Sequence, residues 1–212
     1  MITNRDQLID ALANNSTRIV IDKASIANAA VGQYHSLWRA TGQPGQGAIP
    51  AAAANCNQST TGGMKFSQQT APAKSYLAYL EAASSLSAAT LEVHDRLRHM
   101  GGLNGTLTTA QAAGIDFNGV TADNMAERIG DADYSDIQWW LEWYTDTGAT
   151  VTTATVAVTY NDGTTGNLTG VSLAATRRAS FMQPLNGLIP AAAAGKFIRA
   201  VNTVALSAST GT

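Results

Sequence analysis

Apolar and polar positions change rhythm three times along the chain. Near the start, Leu8, Ile9 and Leu12 recur at helical spacing. Thr3 or Asn4 stands ready to cap that segment, and Asp6 lies in the first turn, where the helix dipole favours an anion. Asn14-Asn15-Ser16 is the expected stop. The pattern predicts one amphipathic helix of about three turns, too short to be stable unless it docks on something.

Residues 18–60 keep no period. RIVID reads as a short strand, and the following stretch carries Tyr34, Leu37 and Trp38. Then Gly42, Pro44, Gly45, Gly47 and Pro50 break both helix and strand. Leu37, Trp38 and Ile49 are poor choices for a solvated linker, so the segment reads as an extended arm ordered against neighbours.

From about residue 73 the period shortens. SYLAYLEA alternates moderately. TLEVHDRLRHM alternates better, with Leu91, Val93 and Leu97 on one face and Glu92, His94, Arg96 and Arg98 on the other. LNGTLTTAQAAGIDFNG reads as turns, and TADNMAERIG as a short helix capped by Thr121. The clearest strand pattern spans 136–212. In DIQWWLEWYTD, Ile137, Trp139, Leu141 and Trp143 share one face; Gln138, Trp140, Glu142 and Tyr144 share the other. Aromatic residues on both faces indicate a strand covered on both sides. TATVAVTY and TTGNLTGVSL flank Asn161-Asp162-Gly163, a hairpin signal, and KFIRAVNTVALSA reads as a long last strand. The expected fold is mainly β: a β-sandwich or jelly-roll-like domain over 71–212, preceded by a short N-terminal helix and an extended, largely irregular arm over 1–70.

Composition narrows the function classes. Only 13% of the 212 residues are charged, against about 25% in a typical soluble domain. A net charge of −2 argues against a protein that coats nucleic acid. No apolar run approaches the roughly 18 residues of a membrane span, and MITNRDQLID holds no signal-peptide apolar stretch. The single cysteine, Cys56, excludes an internal disulfide and reads as a bystander or buried thiol. Charge is uneven: residues 99–176 hold one basic and nine acidic residues, net −8, and the remainder twelve basic and six acidic, net +6. Opposite potentials of this kind suit oriented contact between neighbours.

Chemistry-bearing clusters are sparse. His94 and His99 point to opposite faces of a strand, and on a helix they lie about 140° apart, so with Asp95 they do not converge on a metal. D-A-D-Y-S-D at 131–136 lacks the glycine and distal glutamate of a calcium loop. No G-x-S-x-G or G-x-G-x-x-G occurs. The reading is no enzyme, no cofactor and no metal. Trp140 and Tyr144 are candidates for a subunit contact, with sugar stacking as the other use of such rings. Arg177-Arg178 is a candidate for inter-subunit ion pairs.

EVHDRLRHMGGLNGTLTTAQ, DYSDIQWWLEWYTDTGAT and VSLAATRRAS, with IDKASIANAAVGQYHSLWRATG upstream, resemble a family of tailed-bacteriophage virion proteins. The resemblance is colinear over most of residues 20–206. The family's chains run on past a SASTGT-like stretch, whereas this sequence stops at Thr212. The resemblance implies a virion structural protein, foremost a head decoration (cement) protein on the capsid surface. Its partners would then be the major capsid protein and copies of itself, with no nucleic acid and no membrane. Such proteins clamp the shell through many weak contacts whose multivalency yields high avidity. The contact candidates are Leu8, Ile9 and Leu12 on the helix, Leu37, Trp38 and Ile49 in the arm, and Trp140, Tyr144, Arg177 and Arg178 on the body. The alternatives are another virion position (head–tail connector, tail or baseplate) or a carbohydrate-binding adhesin module.

Overall fold

The computed structural model describes residues 2–27, 29–65, 75–85 and 89–211. Helix α1 (Arg5–Asn14) forms as the sequence predicts, and Asn4 is its cap. The Asn4 carboxamide oxygen accepts from the Gln7 backbone N–H at 2.9 Å, while the Gln7 side chain accepts from the Thr3 N–H at 2.8 Å. At the other end the Ser16 hydroxyl donates to the Leu12 carbonyl at 2.7 Å, occupying an acceptor that the helix leaves open. No residue of α1 is buried.

Beyond α1 come four two-residue strands: β1 (Asp22–Lys23), β2 (Tyr34–His35), β3 (Gly42–Gln43) and β4 (Ala54–Asn55). RIVID therefore contributes only its last residue to a strand, because 18–21 has no neighbour to pair with; β1 pairs with β3. The arm is not loose on the body. β2 pairs with β10 (Phe181–Pro184), and β4 pairs with β5 (Arg98–His99). Within it the Trp38 indole N–H donates to the Ala48 carbonyl at 2.8 Å. Gly47 lies against that ring so closely that an added Cβ would stand 2.0 Å from it. The expected arm–domain boundary at 70/71 lies outside the described residues.

The strands expected over SYLAYLEA and TLEVHDRLRHM shrink to β5 alone. Alternation marks a segment that can pair, but a ladder needs a second strand, and residues 75–82 and 89–97 make none. Conversely, the turn-like QAAGID forms β6 (Gln111–Asp116), because β11 (Ile198–Leu206) offers it an edge. TADNMAERIG gives a 3-10 turn at Ala122–Asn124 and then α2 (Met125–Arg128). The Thr121 side chain makes no capping bond; Asp123 and Asn124 instead turn the chain in left-handed conformations, φ 58° and 54°.

The structure is mainly β and sandwich-like. Its largest layer is an antiparallel sheet of four strands in the order β6-β11-β8-β9, with β8 (Thr152–Tyr160) and β9 (Thr165–Leu173) joined by the expected hairpin. At the turn Gly163 has φ +84°, and the Asp162 carboxylate accepts from the Thr164 N–H at 2.9 Å. β8 alternates strictly, with Thr152, Ala154, Val156, Val158 and Tyr160 all buried. These pack with Leu168, Val171 and Leu173 of β9, with Ile198, Val201 and Val204 of β11, and with Met125, Ile137, Trp139 and Leu185 from the covering segments. The Trp139 indole N–H donates to the Ile198 carbonyl at 2.8 Å, so the largest ring in that core leaves no donor unpaired. The second layer is a three-stranded sheet, β2-β10-β7, whose β7 is Trp140–Glu142. Leu141 and Trp143 pack against the core.

Candidate assembly surface

The N-terminal segment concentrates apolar side chains that stand exposed. On α1, Leu8, Ile9 and Leu12 are 46%, 51% and 42% exposed, and Ile2, Ile19, Val20 and Ile21 are exposed beside them in sequence. A second stretch follows the arm: Tyr76, Leu77, Tyr79 and Leu80 are exposed, Leu77 at 83%, with Leu91 and Val93 further along. A helix of ten residues with no buried face has little tertiary support. The docking partner that its amphipathic pattern predicts is not found on the described residues of this chain.

The other candidates fall into two groups. Leu37 and Ile49 are exposed, although the Ile49 side chain closes over Gly101. Arg178 is partly exposed and pairs with the Asp146 carboxylate. By contrast, Trp38, Trp140, Tyr144 and Arg177 are committed within the chain. Trp38 meets the His99 ring edge-on at 5.5 Å and carries the Arg96 guanidinium over its face at 4.7 Å. Trp140 packs edge-on against Tyr34 at 5.0 Å and near His94 at 6.4 Å. The Arg177 guanidinium stacks on Phe181 at 4.2 Å. Burial, with the Glu142 charge nearby, pushes the Tyr144 phenol up to about 12. Tyr144 also lines a shallow depression with Ser36, Arg39 and Ser180. Both faces of the tryptophan-rich strand are thus covered, as its sequence implies.

What fastens the arm is a polar seam that residue patterns did not single out. Arg96 donates to the Glu142 carboxylate at 2.7 Å and to the Ser36 hydroxyl at 3.2 Å; the Glu142 side chain is only 7% exposed. The Ser36 N–H donates to the Ser180 carbonyl at 2.8 Å. Further along, Asn55 and Asn57 donate to the two oxygens of Asp123 at 3.0 and 2.9 Å, and these bonds hold the Asp123 carboxyl below its ordinary range. Arg128 grips Asp95 with two bonds, 2.8 and 2.7 Å, and donates to the Cys56 carbonyl at 2.7 Å. Between these contacts the Cys56 thiol is buried and pushed up to about 11, which keeps it protonated and unreactive. A signal was present in sequence. Glu142 interrupts an aromatic strand face, and Asn55 and Asn57 share one side of an extended segment.

Among the described residues no group of three or more His, Cys, Asp or Glu side chains is placed to hold a metal ion, and no helix is long and apolar enough to cross a membrane. The carboxylates of the 131–136 run serve the local backbone: Asp133 accepts from the Ser135 N–H and Asp136 from the Asp131 N–H. No family model, curated protein or solved structure matches the chain.

Proposed function

We propose that this protein is a structural component of a phage particle that binds and stabilises the capsid shell as a decoration protein. The observation that carries this reading is α1 with its neighbours: a capped helix whose Leu8, Ile9 and Leu12 are left to water. Apolar surface of this kind marks a site of contact with another molecule. The contact strength of one such helix is modest, so the function requires repetition, which a shell of identical subunits supplies. Charge supports the same arrangement. Glu127, Asp131, Asp133 and Asp136 are exposed and join none of the ion pairs among the described residues, leaving an acidic segment over 127–136 free to orient the body.

Quantitative mass spectrometry of purified virions tests the reading. A copy number close to that of the major capsid protein is expected. A ratio of a few per cent or less removes the decoration role and moves the protein to the connector, tail or baseplate. Leu8→Asp/Leu12→Asp is expected to lower capsid binding at least roughly tenfold, a loss of about 1.4 kcal/mol per site. The body's fold should be unaffected, since neither side chain enters the core.

A further inference from the structure

Six buried side-chain polar atoms lack a partner among the described residues, and five of them cluster where the arm meets the body: His35 Nε2, Arg98 Nε, His99 Nδ1, Glu142 Oε1 and Arg177 Nε. Two of these atoms belong to histidines, one on β2 and one on β5. His35 on β2 has its Nδ1 3.2 Å from the Ser180 hydroxyl and meets the Phe181 ring edge-on at 6.0 Å. The Arg177 guanidinium stacks on that same ring. His99 on β5, 5% exposed, pairs with Ala54 of β4 and meets Trp38, whose face carries Arg96. The charged groups around the seam are therefore Arg96, Arg98, Arg128 and Arg177 against Glu142, Asp95 and Asp123. Glu142 is engaged by Arg96, Asp95 by Arg128, and Asp123 by the two asparagines. Each histidine thus faces a cation, Arg177 for His35 and Arg96 for His99; the seam's one unbonded carboxylate oxygen, Glu142 Oε1, belongs to a group whose charge Arg96 already holds through Oε2.

A proton added to either ring creates a buried charge beside a like charge, which is costly without a partner. Burial first, and Arg96 second, hold His99 down to about 4; burial and Arg177 hold His35 below its ordinary value. Both rings are neutral at pH 7.5. We propose that the seam is an acid-operated latch: protonating His35 and His99 frees residues 34–63 from the body while the four-stranded sheet stays folded. The sheet can remain because its core, from Val156 to Val204, contains no ionised side chain. This device is independent of what the exposed helix binds.

Hydrogen exchange on the full chain, corrected for intrinsic rates, tests the latch at pH 7.5 and pH 4.5. The reporters are the amides of Ser36, Cys56 and Gly101, which donate across the seam to Ser180, Leu97 and Pro50. The reference amides are those of Val156 and Val158 in β8. Acid should cut protection at the seam at least roughly tenfold, the factor carried by one unit of pKa, and leave β8 protected. His35→Gln/His99→Gln, neutral at both pH values, should lose that dependence. If the double variant fails to fold, His35→Gln alone should move the opening midpoint to lower pH. Equal seam protection at both pH values overturns the latch. So does simultaneous loss at seam and sheet, or an unchanged midpoint in the variants.

Discussion

Single side chains set the tolerance of the arm–body seam. Glu142 is the clearest case, because its carboxylate is nearly buried and held by Arg96. Glu142→Ala leaves that guanidinium without its anion in a partly buried place. A loss of about 3 kcal/mol is expected in urea denaturation, in the range found when one member of a buried pair is removed. Gly47 is constrained by shape instead. A methyl group there would overlap the Trp38 ring, so Gly47→Ala should cost about 1–3 kcal/mol and shift tryptophan fluorescence as the indole is displaced. In the core, Leu168 is fully buried on β9, and Leu168→Ala should lower stability by about 2–5 kcal/mol. Arg178, whose partner Asp146 is exposed, should tolerate alanine with a change under about 1 kcal/mol.

Elements differ in how much support they receive. α1 depends on its own caps, since no core residue belongs to it. Asn4→Ala removes the acceptor for the Gln7 N–H and should weaken the helix by about 1 kcal/mol. Circular dichroism should register a loss of helix with the midpoint of global unfolding unchanged, because α1 is not coupled to the sheet. β8 and β11 sit at the other extreme, each with a neighbour on both sides. β9 is an edge strand, and a register shift opposite Ala154 and Val156 bulges it around Gly170, φ +75°. Such a bulge bends an edge and reduces its value as a template for stray strands.

For the whole molecule, pH acts through groups whose environment changes on folding. His99 is lowered from its ordinary 6.5 to about 4 in the folded chain. The unfolded chain therefore binds a proton that the folded chain refuses between those values. Stability contributed by neutral His99 is complete above pH 6.5 and is lost as pH falls toward 4. His35 adds in the same direction. Denaturation midpoints should thus decline with acid below pH 6.5, and His99→Gln should flatten the decline. The carboxylates act lower. Asp123 and Asp146 are held below their ordinary range by hydrogen bonds, so their contributions are present at neutral pH and fall away only in stronger acid.

What the sequence by itself determined is local. The α1 cap and stop, the Asn161-Asp162-Gly163 hairpin, the strict alternation of β8 and the two-sided covering of the tryptophan strand follow from neighbours in the chain. Their causes are a side chain reaching its own backbone, a turn that favours positive φ, and a period of two. Tertiary structure alone decided which alternating segments became strands. β6 exists because β11 offers an edge to QAAGID, while SYLAYLEA alternates and forms no strand. It also decided the fate of the arm. Asn55, Asn57, Asp95, Asp123 and Arg128 are far apart in sequence, and their bonds arise only once the chain has closed on itself. A strand is a property of a pair, and a salt bridge of two places; neither is written in a single stretch of residues.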